Sequence, residues 1–189
     1  MADEHGRDNQ QSHDNQQSHD NRPERIYELE VPSPQLSSGD GRGPVLIHAL
    51  EGFSDAGHAI RLAAAHLQSA LDSELVASFA IDDLLDYRSR RPLMTFKTDH
   101  FTSYEDPHLN LYALRDSVGT PFLLLAGLEP DLQWERFVTA VRLLAERLGV
   151  RQTIGLGAIP MAVPHTRPVT MTAHSSNRDL ISDHQPWVG

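Results

Sequence analysis

VLIHALEGFSDAGHAIRLAAAHL, from Val45 to Leu67, decides the fold. Val45, Leu46 and Ile47 are an apolar run with β-branched ends, the pattern of a strand covered on both faces. Gly52 and Gly57 bracket a turn where the missing Cβ permits positive φ or the close approach of another group. Ser54 and Asp55 each offer an oxygen to the first free N–H groups of a helix. Ile60, Ala63, Ala64, Leu67 and Leu71 then recur at helical spacing and make one apolar face. Such a strand–turn–helix unit aims the helix N-terminus at the space beyond the strand's C-terminal end, where open α/β sheets bind ligands. The turn is neither GxGxxG nor a glycine-rich loop closed by GKS or GKT. It reads as an αβ junction able to hold an anion, and not as a nucleotide site.

Downstream, ELVASFAI (Glu74 to Ile81) reads as a second strand, followed by Asp82 and Asp83 as caps. LLDYRSRRP ends at Pro92 and carries Arg88, Arg90 and Arg91, a basic cluster in an acidic chain. It is either a solvated turn paired with Asp82, Asp83 and Asp86, or an anion contact, since a guanidinium fork suits carboxylate or phosphate. Leu93–Thr98 and Leu109–Leu114 alternate as strands, and with YEDPH as the turn between them they predict an antiparallel pair. PFLLLAG, Pro121 to Gly127, is the most apolar stretch and predicts the central strand. LEPDLQW leads into a helix ending near Leu148, whose apolar face is Phe137, Val141, Leu144, Ala145 and Leu148, with Gly149 as its C-terminal cap. VRQTIGLGAI, Val150 to Ile159, is the next strand, and its two glycines allow close backbone approach. PMAVPHTRPVTMTA follows with three prolines that fix a loop. A short helix is expected to begin at Ser175 or Ser176.

Upstream, residues 1–43 predict a disordered polar tail and linker ahead of an α/β domain over 44–189. DNQQSH occurs at Asp8–His13 and again at Asp14–His19, with almost nothing to bury. The tail histidines His5, His13 and His19 read as solvated rather than as metal ligands. IYELEV, Ile26 to Val31, alternates and predicts an edge strand. PSPQLSSGDGRGP is turn-rich.

Composition narrows the class. The 189 residues are 39% hydrophobic and 22% charged, which suits one soluble domain with an extra polar segment. No run of roughly 18 apolar residues predicts a transmembrane helix, and the polar N-terminus lacks a signal core. Cysteine is absent, which removes disulfides, thiolate metal sites and a cysteine nucleophile, and fits the cytoplasm. A formal net charge of -10 disfavours nucleic acid and anionic membrane as partners.

Alternating strands and helices predict a mixed, mostly parallel α/β sheet flanked by helices. Three parallel strands would end in polar segments: Glu51–Gly57, Gly127–Trp134 and Pro160–Arg167. If the strands are neighbours, Gly52, Ser54, Asp55, Gly57, Arg91, Glu129, Trp134, His165, Thr166 and Arg167 gather in one ligand or partner cleft. Ser54, His165 and Asp55 or Glu129 supply the residue types of a hydrolase triad, but GFSDAG is not the GxSxG elbow, and Ser54 reads more simply as a helix cap. Glu51, Asp55 and His165 have no spacing that demands a metal. No catalytic residue, metal or cofactor is therefore assigned.

Four motifs occur in order: EGFSDAG at Glu51–Gly57, DYRSRRP at Asp86–Pro92, GLEPDLQW at Gly127–Trp134 and LGAIPMAVPHTRPV at Leu156–Val169. Together they resemble the actinobacterial branch of the proteasome assembly chaperone family, the type-two subunit domain, over roughly Val45 to Ala173. The resemblance implies a fold like that of nucleoside phosphorylases. It also implies a non-enzymatic assembly protein acting by protein–protein contact, with a proteasome subunit or a second copy as partner. No catalytic residues carry over. Family members continue past PHTRPV through another strand and covering helices, so a domain truncated at its C-terminal end is expected. The chain ends Trp187, Val188, Gly189, without the hydrophobic–Tyr–any-residue tail by which such chaperones dock. Two alternatives stand beside this reading. One is a binding protein or enzyme for a small anionic or nucleoside-like molecule, with Arg91 and Arg167 supplying charge, Trp134 stacking on a base and Glu129 or Asp55 bonding a hydroxyl. The other is an inactive fragment.

Overall fold

The computed structural model describes residues 26–32, 34–37 and 41–183. The DNQQSH repeat, the tail histidines and the Trp187–Gly189 ending lie outside the described residues. The chain divides into two units, Met1–Ala158 and Ile159–Gly189.

The first unit is built on a six-stranded sheet in the order β1-β3-β6-β7-β2-β8. Its strands are β1 (Tyr27–Leu29), β2 (Val45–Glu51), β3 (Ser73–Phe79), β6 (Leu109–Arg115), β7 (Pro121–Leu128) and β8 (Gln152–Gly155). Strands β4 (Met94–Lys97) and β5 (His100–Tyr104) form a separate antiparallel pair. The helices are α1 (Ala59–Ala70), the single turn α2 (Ile81–Leu84) and α3 (Trp134–Arg147).

The mixed sheet agrees with expectation, but parallel pairing is confined to one half. β7, β2 and β8 run parallel, whereas β1 with β3, β3 with β6 and β6 with β7 are antiparallel. PFLLLAG is apolar almost throughout because β7 is buried on both faces. Leu123 and Leu125 pack with Phe137, Ala140 and Leu144 of α3. Leu124 and Ala126 pack with Ile60 and Ala64 of α1. The period-2 alternation of a strand thus sends successive apolar residues into two separate cores. Ile26, just before β1, is fully buried in the α3-side core.

Both long helices end as their sequences require. Gly149 has φ +66, its N–H donates to the Glu146 carbonyl, and Val150 N–H reaches the Ala145 carbonyl, which satisfies the last carbonyls of α3. At the start of α1, Gly57 and His58 both take left-handed backbone (φ 65 and 58) and Asp55 Oδ1 accepts from Ile60 N–H at 2.6 Å. Of the two expected caps, Asp55 supplies the oxygen. Ser54 is exposed, and its carbonyl instead accepts from Ala158 N–H.

The expected pairing of 93–98 with 109–114 does not form. Lys97 turns back through Thr98 (φ 61) and Asp99 into β5, giving the register Met94↔Tyr104 and Phe96↔Phe101. β6 instead enters the main sheet between β3 and β7, where Leu109, Leu111, Ala113 and Leu114 are buried. In the second unit the expected short helix is a 3-10 turn, Arg178–Ile181, capped by Asn177 Oδ1 accepting from Asp179 N–H.

Candidate functional site at the carboxyl edge of the sheet

β3 runs in the direction of β7, since both pair antiparallel with β6. The C-terminal ends of β2, β3, β7 and β8 therefore share one edge, with His108 joining them at the start of β6. From the neighbouring strands β2 and β7 the chain leaves to opposite faces, through α1 and through α3. Exits to opposite faces open a crevice at the strand ends, the usual ligand position in an open α/β sheet.

Here a network centred on Arg90 fills that crevice. Its Nη1 donates to the carbonyls of Glu51 (3.3 Å) and Glu129 (3.2 Å), the last residue of β2 and the residue just after β7. Nη2 reaches Glu129 Oε1 at 3.3 Å and Nε reaches Asp131 Oδ1 at 3.1 Å. The side chains of Arg90, Glu129 and Asp131 are only 26%, 20% and 18% exposed, so solvent screens them weakly. Phe53 N–H donates to Glu129 Oε1 at 2.9 Å, and Asp86 N–H to Asp131 Oδ2 at 3.0 Å. Gly52 is glycine because the Glu129 side chain lies on it: a Cβ there would sit 1.9 Å from Glu129 Cδ. In the segment that carries Arg90, the Tyr87 hydroxyl donates to Asp82 at 2.5 Å, and this bond pushes its pKa up to about 12.

On the α1 side, burial pushes the Glu51 carboxyl above its ordinary value, opposed by the charges of Arg61 and His108. On the other face, burial lowers the pKa of His48, whose ring lies against Gly155; a Cβ at Gly155 would come within 2.5 Å of His48 Nε2.

The expected residues fall as follows. Gly52, Ser54, Asp55, Gly57, Glu129 and Trp134 belong to the turns after β2 and β7. Asp55 is bridged to Ala158, and Ala56 N–H donates to the Ala158 carbonyl. Trp134 opens α3 and meets Phe137 edge-on, ring centroids 5.8 Å apart, so its packing is toward the α3-side core. Arg91 is exposed, and the contacts at the crevice belong to its neighbour Arg90. His165, Thr166 and Arg167 lie in the second unit, all exposed, in a turn closed by Arg167 N–H donating to the Pro164 carbonyl. Asp131 escaped sequence reasoning. Its signal was Glu129-Pro130-Asp131, two carboxylates flanking a proline at a strand end, in a chain with an arginine cluster elsewhere. Among the described residues, no group of three or more His, Asp or Glu side chains is arranged to hold a metal.

A family model described as the PAC2 family matches residues 49–189. Among solved structures, the chain is similar to the Mycobacterium tuberculosis protein of unknown function Rv2714, at 86% identity and TM-score 0.82, over 85% of this chain and 56% of that one. It is similar to a PAC2 family protein from Streptomyces avermitilis, at 30% identity and TM-score 0.65, over 77% of this chain and 64% of that one. It is also similar to the M. tuberculosis proteasome-assembly chaperone homologue Rv2125, at 25% identity and TM-score 0.66, over 74% of this chain and 60% of that one. The chain thus spans little more than half the length of Rv2714. No curated protein matches it. On the family match over residues 49–189, this chain belongs to the PAC2 family.

Proposed function

We propose that the chain works by protein–protein contact, as an assembly-chaperone-like protein of the proteasome. Membership of the PAC2 family and similarity to a protein named as a proteasome-assembly chaperone homologue support this reading. The observation that carries it is the β4–β5 hairpin. Met94 and Tyr104, and Phe96 and Phe101, are cross-strand partners, and partners in an antiparallel pair share a face. These four side chains are 52%, 52%, 59% and 60% exposed. Phe96 and Phe101 touch only edge-on, with centroids 5.1 Å apart. One face of the ribbon is therefore apolar and bare, a pattern that marks contact surfaces. A two-stranded hairpin alone is marginal in water, and a partner on that face would stabilise it. The partner proposed for this surface is a second copy of the chain or a proteasome subunit.

The test is reconstitution. Separately purified proteasome core subunits are mixed with and without the full chain, and core-particle formation is followed on native gels. The proposal expects faster assembly and a transient complex containing the chain, both lost in Phe96→Ser/Phe101→Ser. Unchanged assembly with no complex would remove the proteasome role.

A further inference from the structure

The crevice between β2 and β7 is built like a binding site, and its occupant belongs to the chain itself. Four acceptors converge there: the carbonyls of Glu51 and Glu129, Glu129 Oε1 and Asp131 Oδ1. Each is fixed by something other than the arginine. Strand pairing of β2 with β7 sets the Glu51 carbonyl, and just past the end of β7 the Glu129 N–H donates to that carbonyl at 3.0 Å, which holds the Glu129 backbone. The side chain of Glu129 is seated on Gly52 and oriented by Phe53 N–H. Asp131 is held through its own N–H, which donates to the Leu84 carbonyl at 2.8 Å. Two carboxylates and two carbonyls around one space suit a planar cation with several N–H donors. An ammonium, with three donors on one atom, cannot reach a set spread across two strand ends.

We propose that this crevice is a guanidinium cage, that Arg90 is its internal occupant, and that residues 86–92 are a strap which must swing out before a guanidinium or amidinium group of a ligand can enter. The strap suits this role. It is a compact turn, with the N–H groups of Ser89 and Arg90 donating to the Asp86 carbonyl. Arg88 and Arg91 are exposed, and Arg90 makes the contacts that latch the strap onto the strand ends, with two single bonds beside it, from Asp86 N–H to Asp131 Oδ2 and from the Tyr87 hydroxyl to Asp82. The inference is independent of the assembly reading and can fail without it.

The experiment compares melting of the full chain and of Arg90→Ala with millimolar methylguanidinium, using methylammonium as the control. The cage predicts that Arg90→Ala melts lower than the parent and that methylguanidinium raises its Tm saturably by about 3–5 °C. The parent, whose cage is filled, does not respond, and methylammonium has no effect on either. Trypsin cleavage of the Arg88–Ser89 bond, which the parent and the variant both offer, is faster in Arg90→Ala and stays fast with methylguanidinium, because the cage is refilled but the strap is unlatched. No saturable response, an equal response in the parent, or an equal effect of methylammonium would overturn the cage. Cleavage as slow as in the parent would overturn the strap. If Arg90→Ala is insoluble, Arg90→Gln, which keeps two of the three side-chain methylenes, carries the same test.

Discussion

Gly52→Ala probes how the carboxyl edge is held together. The added Cβ would lie 1.9, 2.2 and 2.3 Å from Cδ, Oε1 and Cγ of Glu129. None of these distances is tolerable, but Glu129 is a flexible side chain and can swing away. Swinging away loses the bond from Phe53 N–H and the contact with Arg90 Nη2. Hydrogen bonds to a charged group contribute about 1.5–3 kcal/mol each when buried. Phe53 is exposed and water replaces its partner, and Arg90 keeps Asp131, so the combined loss is about 1.5–2 kcal/mol. Gly52 is not in the left-handed region, so alanine also returns about 0.4–1 kcal/mol by restricting the unfolded chain. The net loss is about 1 kcal/mol, or about 2–4 °C in Tm. The decisive assay is a double-mutant cycle by urea and thermal unfolding. In a Glu129→Ala background the three atoms that the Cβ would strike are gone, so Gly52→Ala should become neutral or stabilising. An equal loss in both backgrounds would refute the argument.

Further outcomes follow from the same structure. Gly127→Ala should destabilise by at least about 3 kcal/mol, because its Cβ would meet the His108 carbonyl at 2.1 Å on a residue with φ +131; soluble protein with an unchanged melt would contradict this. Asp55→Ala should cost about 1 kcal/mol by freeing Ile60 N–H, while Asp55→Asn keeps most of it, a difference readable in the urea midpoint. Burial raises the folded-state pKa of Glu51, so the folded state binds its proton more tightly and stability falls as pH rises from 4.5 through the raised value. Glu51→Gln should therefore raise Tm at pH 7 and lose that advantage below about pH 4.5; a difference independent of pH would contradict the assignment.

The first βα unit and the central strand were legible because burial on both faces left few readings of Val45–Ile47 and Pro121–Gly127. The end of α3 was legible because Gly149 can take φ +66 where other residues resist it. The hairpin was not, since its alternation had no core to answer to. Every residue of β4 and β5 is exposed, so the pattern could not say which strand pairs with which, and the positive φ falls on Thr98, which carries no such signal. The candidate site was half legible. Gly52 and Glu129 stood out at strand ends. Choosing among Arg88, Arg90 and Arg91 required knowing which of the three turns inward, and that is fixed by the turn that Asp86 closes.

Contact through the hairpin carries the proposed function, and light scattering of the full chain across a range of concentrations tests it most directly. It predicts a concentration-dependent mass above the 21.1 kDa of the single chain, alone or with proteasome core subunits, returning to 21.1 kDa for Phe96→Ser/Phe101→Ser. A well-folded 21.1 kDa monomer at every concentration, unchanged by those subunits, would contradict it.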